Sequence, residues 1–301
     1  MRSNLSADRR KGGPRKEFSK PPPPSREFTF TDDDFHAISR LVYSKTGIVL
    51  KDHKSDMVYS RLARRLRALG LKSFADYRHL IGDPDGEGEL GFLVNAVTTN
   101  LTHFFREIHH FKHLAEVPLR QFSANYKKGK GKHLRIWSAG CSSGAEPYSI
   151  AMTMRRSLPS LSSLDAKILA SDLDTSMLDN GRSGTYPIDM LEKIPERFAS
   201  KFIKVGKGSA DGTFDVSPSL KEMITFNQLN LLNAWPMKGL FDAIFCRNVM
   251  IYFDNPTKEK LVERFAKYLK PHGYLYVGHS ESVNKIETWY EPQGQTIYRK
   301  K

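Results

Sequence analysis

Two hydrophobic rhythms divide the chain. From Phe28 to about residue 100, apolar side chains recur every three or four positions, the period of a helix with one buried face. Phe35, Ile38, Leu41 and Val42 form the first stripe. It follows Thr31-Asp32-Asp33-Asp34, where a hydroxyl and acids suit a helix N-terminus, and it stops at Gly47. Val58, Leu62, Leu66 and Leu69 predict a second helix over 54–69, closed by Gly70. Phe74, Tyr77 and Leu80 predict a third, starting at Ser73, and Leu90, Leu93, Val94 and Val97 a fourth. The stretch GDPDGEGE, 82–89, reads as the loop between them.

After the basic linker KKGKGK (127–132) the rhythm changes. Strand-like runs LRIWSA (134–139), AKILASDLD (166–174), MITFNQLNLL (223–232) and FDAIFCRNVMIYF (241–253) alternate with helical stripes at 147–158, 175–184 and 258–269. YLYVGHS (274–280) and TIYRK (296–300) close the chain as an antiparallel pair. The alternation predicts an α/β fold, a doubly wound parallel sheet covered by helices. Residues 187–226 break the pattern with glycines and short alternating flanks, and predict a small antiparallel β-insertion. The expected organisation is a disordered basic tail (1–26), an all-helical domain (27–110) and the α/β domain (111–301), with 187–226 inserted in the latter.

Composition narrows the class. Hydrophobic residues make up 39%, enough for a sizeable core in 301 residues. No apolar run reaches the roughly 18 residues of a membrane span. The charged N-terminus has no apolar stretch behind it, so no secretory leader and no membrane insertion are expected. Two cysteines, Cys141 and Cys246, point to a reducing compartment, and the expectation is a cytoplasmic monomer. The net charge of +14 attracts polyanions. Part of it lies in the tail, beside Pro21-Pro22-Pro23-Pro24, and part on the second helix, where Arg61, Arg64 and Arg65 share one side. That side is either a solvated face or a dock for an acidic partner.

The candidate chemistry begins at RIWSAGCSSGAEPYSIAM (135–152), a strand, a turn of small residues and a helix. Such turns seat nucleotide-like ligands. The dinucleotide fingerprint is absent, because the spacing is Gly140-x-x-x-Gly144, and no P-loop lysine follows. Glu146 repels a pyrophosphate but suits an amino group, so a ligand with a nucleoside end and a cationic end fits best. Asp172 closes the second strand, where an acid commonly accepts ribose hydroxyls. Asn230 offers an amide to a purine edge, and Arg247, Asn248 and Tyr252 end the fourth strand. His109 and His113 have the i,i+4 spacing of a metal pair, but no third ligand pattern accompanies them and no metal is expected.

The ordered set TTNLTHFFRE (98–107), RIWSAGCSSGAEPYSIAM, ASDLD and FDAIFCRNVMIYF resembles the CheR family of chemotaxis-receptor methyltransferases, over nearly everything from residue 28 onward. The resemblance implies transfer of a methyl group from S-adenosylmethionine to glutamate side chains of chemoreceptor cytoplasmic helices. It implies that Asn100, Thr102 and Arg106 line the cofactor site, that Glu146 holds the methionine end and Asp172 the ribose, and that Asn230 and Leu231 flank the adenine. Arg247 and Asn248 then close the pocket, with Arg106 and Tyr252 as the catalytic pair. It further implies that a receptor C-terminal peptide can bind an edge of the β-insertion, near Gly206 and Gly208. Two other readings stand beside it. One is a methyltransferase fold that binds without turnover. The other is a nucleic-acid methyltransferase, which loses weight because the fourth strand ends in CRNVMIYF rather than a D/N-P-P-Y turn.

Overall fold

In a computed structural model of the protein, the described residues are 26–83, 86–98, 100–129, 131, 133–158, 164–205, 212–281 and 285–301. The basic tail up to residue 25, with its proline run, lies outside them, as do Gly206 and Gly208.

The first rhythm becomes four helices, α1 (Asp32–Thr46), α2 (Ser55–Leu69), α3 (Phe74–Gly82) and α4 (Glu87–Val97). Thr31 and Asp34 form a reciprocal cap on α1, and Gly47 ends it at φ 71°. The stripes meet in one core, in which Ile38, Val42, Val58, Leu62, Leu66, Phe74 and Tyr77 are buried. The expected loop 82–89 is shorter than its composition implies. Glu89 turns inward to accept from Tyr77 Oη at 2.9 Å and from Arg65, so α4 already begins at Glu87.

The second rhythm becomes a seven-stranded sheet built on β1 (His133–Ala139). On one side lie β2 (Asp165–Asp172) and β6 (Ile224–Gln228), and on the other β7 (Phe241–Cys246) and β8 (Leu269–Val277), all parallel to their neighbours. β10 (Ile297–Lys300) runs antiparallel to β8, as expected. A strand that the periodicity did not announce, β9 (Tyr290–Pro292), then pairs antiparallel with β10. The crossovers leave β1 in opposite directions, so the topological switch lies between β1 and β7, where ligands of open α/β sheets sit. One face packs on α5 (His109–Glu116), α6 (Pro118–Lys127) and α7 (Ala145–Ser157). The other packs on α11 (Asn255–Tyr268), around Trp137, Trp235 and Phe265.

Two boundaries differ from those expected. The helical core ends at Val97, while Phe104, Phe105 and Phe111 are buried against the sheet. Phe104 and Phe105, read as helical domain, thus pack in the core of the sheet. The small antiparallel sheet starts at Thr185 rather than 187, in the order β3 (Thr185–Pro187), β5 (Thr213–Val216), β4 (Ile203–Lys204). It also carries helix α9 (Glu196–Phe202), whose Phe198 and Phe202 join the core. The end of the 187–226 stretch is β6, which pairs in the large sheet.

The two domains are stitched at the strand tips. Tyr43 Oη donates to Asp254 Oδ2 at 2.7 Å, Asn230 Nδ2 to Lys45 O at 2.7 Å, and Val49 N to Tyr252 O at 2.9 Å.

Candidate active site

The turn after β1 is shaped by its own backbone. Gly140 and Gly144 have φ of 79° and 90°, a region that side chains avoid. A Cβ on Gly140 would also collide with Val249 across the cleft. Gly140 N and Cys141 N both donate to Ser171 O, and Ser142 N donates to Asp172 Oδ2 at 2.7 Å. Asp172 also accepts from Asp174 N at 3.0 Å. Burial pushes its carboxyl above the ordinary range, against the pull of these backbone bonds. Gly144 then starts α7, which puts Glu146 in the first turn, buried under the sheet.

Glu146 is the centre of a charged chain. Its Oε1 accepts from Ser138 Oγ at 2.7 Å and its Oε2 from Arg247 Nη1 at 2.9 Å. Burial raises its carboxyl, while Arg247 and Ser138 oppose that. The Arg247 side chain is only 2% exposed. A cation so far from water needs partners, and it has them. Nη2 reaches Glu107 Oε2 at 3.3 Å and donates to the carbonyl of Arg106. Glu107 in turn accepts from His279 Nδ1 at 2.9 Å. Burial pushes Glu107 up, but the His279 hydrogen bond and the Arg247 charge outweigh it and hold the carboxyl at about 2.

These turns enclose a cleft of about 1190 Å³, open mouth included. Asn100, Thr102, Arg106, Glu146, Asp172, Asn230, Leu231, Arg247, Asn248 and Tyr252 all line it, so the structure brings together every cofactor and catalytic residue expected from the sequence. Its polar groups converge from several strand ends, and Leu229, Leu231, Val249 and Phe253 supply an apolar wall. Carboxylates for hydroxyl and amino groups, with an apolar slot for a flat ring, fit S-adenosylmethionine.

Some of these groups already have work inside the protein. Asn100 Nδ2 donates to Asp174 Oδ2 at 2.8 Å, which fixes the acid that caps α8 (Thr175–Ser183). The Asn230 amide reaches the helical domain through Lys45 O. Arg106 Nη1 donates to Leu101 O at 2.8 Å on the lip of the cleft. Sequence reasoning missed the wall that the helical domain contributes, Thr46, Ile48, Val49, Leu50, Lys54 and Met57. It also missed Ser138, which bonds Glu146 eight residues on, and Glu107, His279 and Glu281, which meet partners far along the chain.

Of the three α2 arginines expected on one side, Arg61 donates to Ala96 O and Thr98 O, and Arg65 pairs with Glu89 at 2.6 Å and covers the Phe92 ring. Both side chains are long enough to reach back over the helix, so spacing alone placed them on an outer face. Arg64 is exposed. The metal-type spacing His109/His113 does not converge, since His113 Nδ1 meets Tyr276 Oη at 2.9 Å. Among the described residues, Glu107, His109 and His110 bring ligand-type atoms within 4.8 Å, but the Arg247 cation faces the same Glu107 carboxylate.

Comparison with known proteins matches this geometry. Residues 33–98 match the family description "CheR methyltransferase, all-alpha domain", and residues 100–299 match "CheR methyltransferase, SAM binding domain". The chain is 46% identical to Chemotaxis protein methyltransferase 2 of Pseudomonas aeruginosa, over 91% of this chain and 95% of that one. It is 43% identical to the Chemotaxis protein methyltransferase of Escherichia coli, over 91% and 93%. A solved structure, PKMT2 from Rickettsia typhi in complex with AdoHcy, aligns over 54% of this chain and 25% of that one at 16% identity and a TM-score of 0.32. The two family-domain matches and the two chemotaxis methyltransferase relatives make the chain a member of the CheR family, an S-adenosylmethionine-dependent chemotaxis protein methyltransferase.

Proposed function

We propose that the protein forms methyl esters on glutamate side chains of chemoreceptor cytoplasmic helices, acting as a cytoplasmic monomer. The observation that carries this is the pairing of a half-exposed guanidinium, Arg106, with the Tyr252 phenol in one cleft. A glutamate carboxylate, with pKa about 4.3, is ionised at neutral pH and needs no general base. Its attack is an in-line displacement, so alignment is the main task. Arg106 grips and orients the incoming carboxylate, and Tyr252 holds the approach by a hydrogen bond. Asn100, Thr102 and Arg106 hold the cofactor from the helical side, and Glu146 binds its amino group. Asp172 takes the ribose, Asn230 and Leu231 the adenine, and Arg247 and Asn248 close the pocket. When bound there, S-adenosylmethionine supplies an electrophilic methyl group on a sulfonium.

Exposed Arg64, and to a lesser degree Arg61 and Arg65, offer positive charge to an acidic receptor helix. The small sheet offers an edge for a receptor tail. The test uses purified protein, labelled cofactor and a receptor cytoplasmic fragment, followed by alkali treatment and mass spectrometry of the receptor peptides. Base-labile methyl groups on glutamates are expected. Arg106→Ala should lower their formation roughly 10²-fold or more while changing product affinity far less. Alkali-stable methylation rules out the carboxylate reading.

A further inference from the structure

The two turns that carry Arg106 and Tyr252 have local backbone bonds, but each also holds residues in the left-handed region. Phe105 and Glu107, on either side of Arg106, have φ of 52° and 54°, and Asn248 has φ of 60°. Bulky residues in that region are strained and persist only when surroundings over-determine them. Both turns are gripped by the same short segment after β8, Gly278-His279-Ser280-Glu281. His279 Nδ1 meets Glu107 Oε1 at 2.9 Å, next to Arg106. Glu281 is 4% exposed, and its carboxylate accepts from the backbone N–H groups of Asn248 at 2.9 Å and Ile251 at 3.3 Å. Met250 N and Gly278 N add further bonds to it. Four backbone donors converge on one buried carboxylate, and three of them belong to the turn that ends in Tyr252.

Gly278 completes the fit. A Cβ there would sit 2.5 Å from Asn248 Nδ2, 2.9 Å from Asn248 N and 2.9 Å from Glu281 Oε2. The glycine is needed for close approach, so that the carboxylate and the Asn248 backbone can meet.

We propose that Glu281 is a positioning residue for methyl transfer, and that the 278–281 turn is a brace that fixes Tyr252 and Arg106 relative to each other. The proposal rests on the methyl-transfer reading above. Glu281 does not line the cleft, so it acts through the turn it holds. A glutamine there keeps the volume but presents an N–H₂ group to backbone donors, so the turn relaxes and the tyrosine drifts. A drift of about 1 Å is enough to cost roughly 10²-fold in rate.

The experiment is a double-mutant cycle on the full chain with receptor fragment. Glu281→Gln should lower kcat about 10–100-fold and leave the receptor KM within about threefold. In a Tyr252→Phe background the same change should cost less than about threefold, because the group it positions is already gone. Equal losses in both backgrounds, or no loss, overturn the proposal. Hydrogen exchange provides a reading without turnover. Glu281→Gln and Gly278→Ala should each speed exchange at 248–252 at least about tenfold while protection across β1 stays unchanged. Unchanged exchange there overturns the brace even if the protein forms no ester. Wild-type protein that forms no ester, with faster exchange in the variants, instead removes the glutamate reading and leaves the brace standing.

Discussion

The turn after β1 and the turn after β7 face each other across the cleft, yet they are held in different ways. The first is shaped from within. Gly140 and Gly144 adopt a backbone that few other residues tolerate, and the end of the neighbouring strand β2, 30 residues on for the Ser142–Asp172 bond, satisfies its N–H groups. The second has no glycine between Cys246 and Phe253. Its shape comes from buried charges supplied by distant parts of the chain, Glu281 below it and Glu107 and Glu146 around Arg247. The glycine turn depends on backbone freedom at its own residues, whereas the turn built from ionic contacts depends on side chains that the fold brings to it. The first should be sensitive to volume and the second to charge.

The largest test of that contrast is Arg247→Ala. It removes almost no local backbone preference but leaves Glu146 and Glu107 buried without their cation. A loss of about 3–5 kcal/mol in unfolding free energy is expected by urea denaturation. A loss below 1 kcal/mol, within the range of surface substitutions, breaks the contrast. Gly140→Ala comes next. It combines backbone strain with collision against Val249, and should cost about 2–4 kcal/mol. Gly70→Ala serves as its control, because Gly70 has φ of 68° but nothing within 4 Å of its missing Cβ. There only the backbone penalty of about 1 kcal/mol remains. Equal costs at the two glycines show that packing across the cleft contributes nothing.

The charged side should also respond to pH. His110 is fully buried beside Glu107, His109 and Arg247, and its Nε2 faces Gln295 O. Burial and then the Arg247 charge lower its pKa to about 3, so the folded state keeps it neutral. The stability this gives is complete above the unfolded value of about 6.5 and is lost as pH falls toward 3. Glu107, held at about 2, adds a second loss once pH falls below the ordinary carboxyl range of about 4.5. Thermal denaturation should therefore show stability falling below pH 6.5 by at most about 1.4 kcal/mol per unit from His110, and more steeply below pH 4.5. His110→Gln should flatten the upper part of that slope. An unchanged slope assigns the acid sensitivity elsewhere.

The same contrast explains what could be read in the sequence. Period and punctuation are local, so α1 to α4, the strands of the large sheet other than β9 and the glycine turn were legible. The cleft residues carried by strand ends were legible too, because strand ends converge in this fold. Glu281 and Glu107 were not. Their partners lie 33 and 172 residues away for the Asn248 and His279 contacts, and a lone glutamate in a charged chain gives no signal. Arg61 and Arg65 show the opposite failure, since helical spacing describes where a side chain starts and not where a long one ends. The inserted segment was read as β because its glycines and alternating flanks are strand signals. Its helix α9 is too short to announce itself by periodicity.

The hydrogen bonds that join Tyr43, Lys45 and Val49 to the strand tips have a bearing on how such proteins can be recombined. Thr46, Ile48, Val49, Leu50, Lys54 and Met57 belong to the first domain, yet they complete the wall of the cleft. A chimaera that borrows this domain from a relative therefore also imports part of the cleft wall. The helical domain and the cleft are not separable modules here, and exchanging the domain without matching the seam disturbs the cleft.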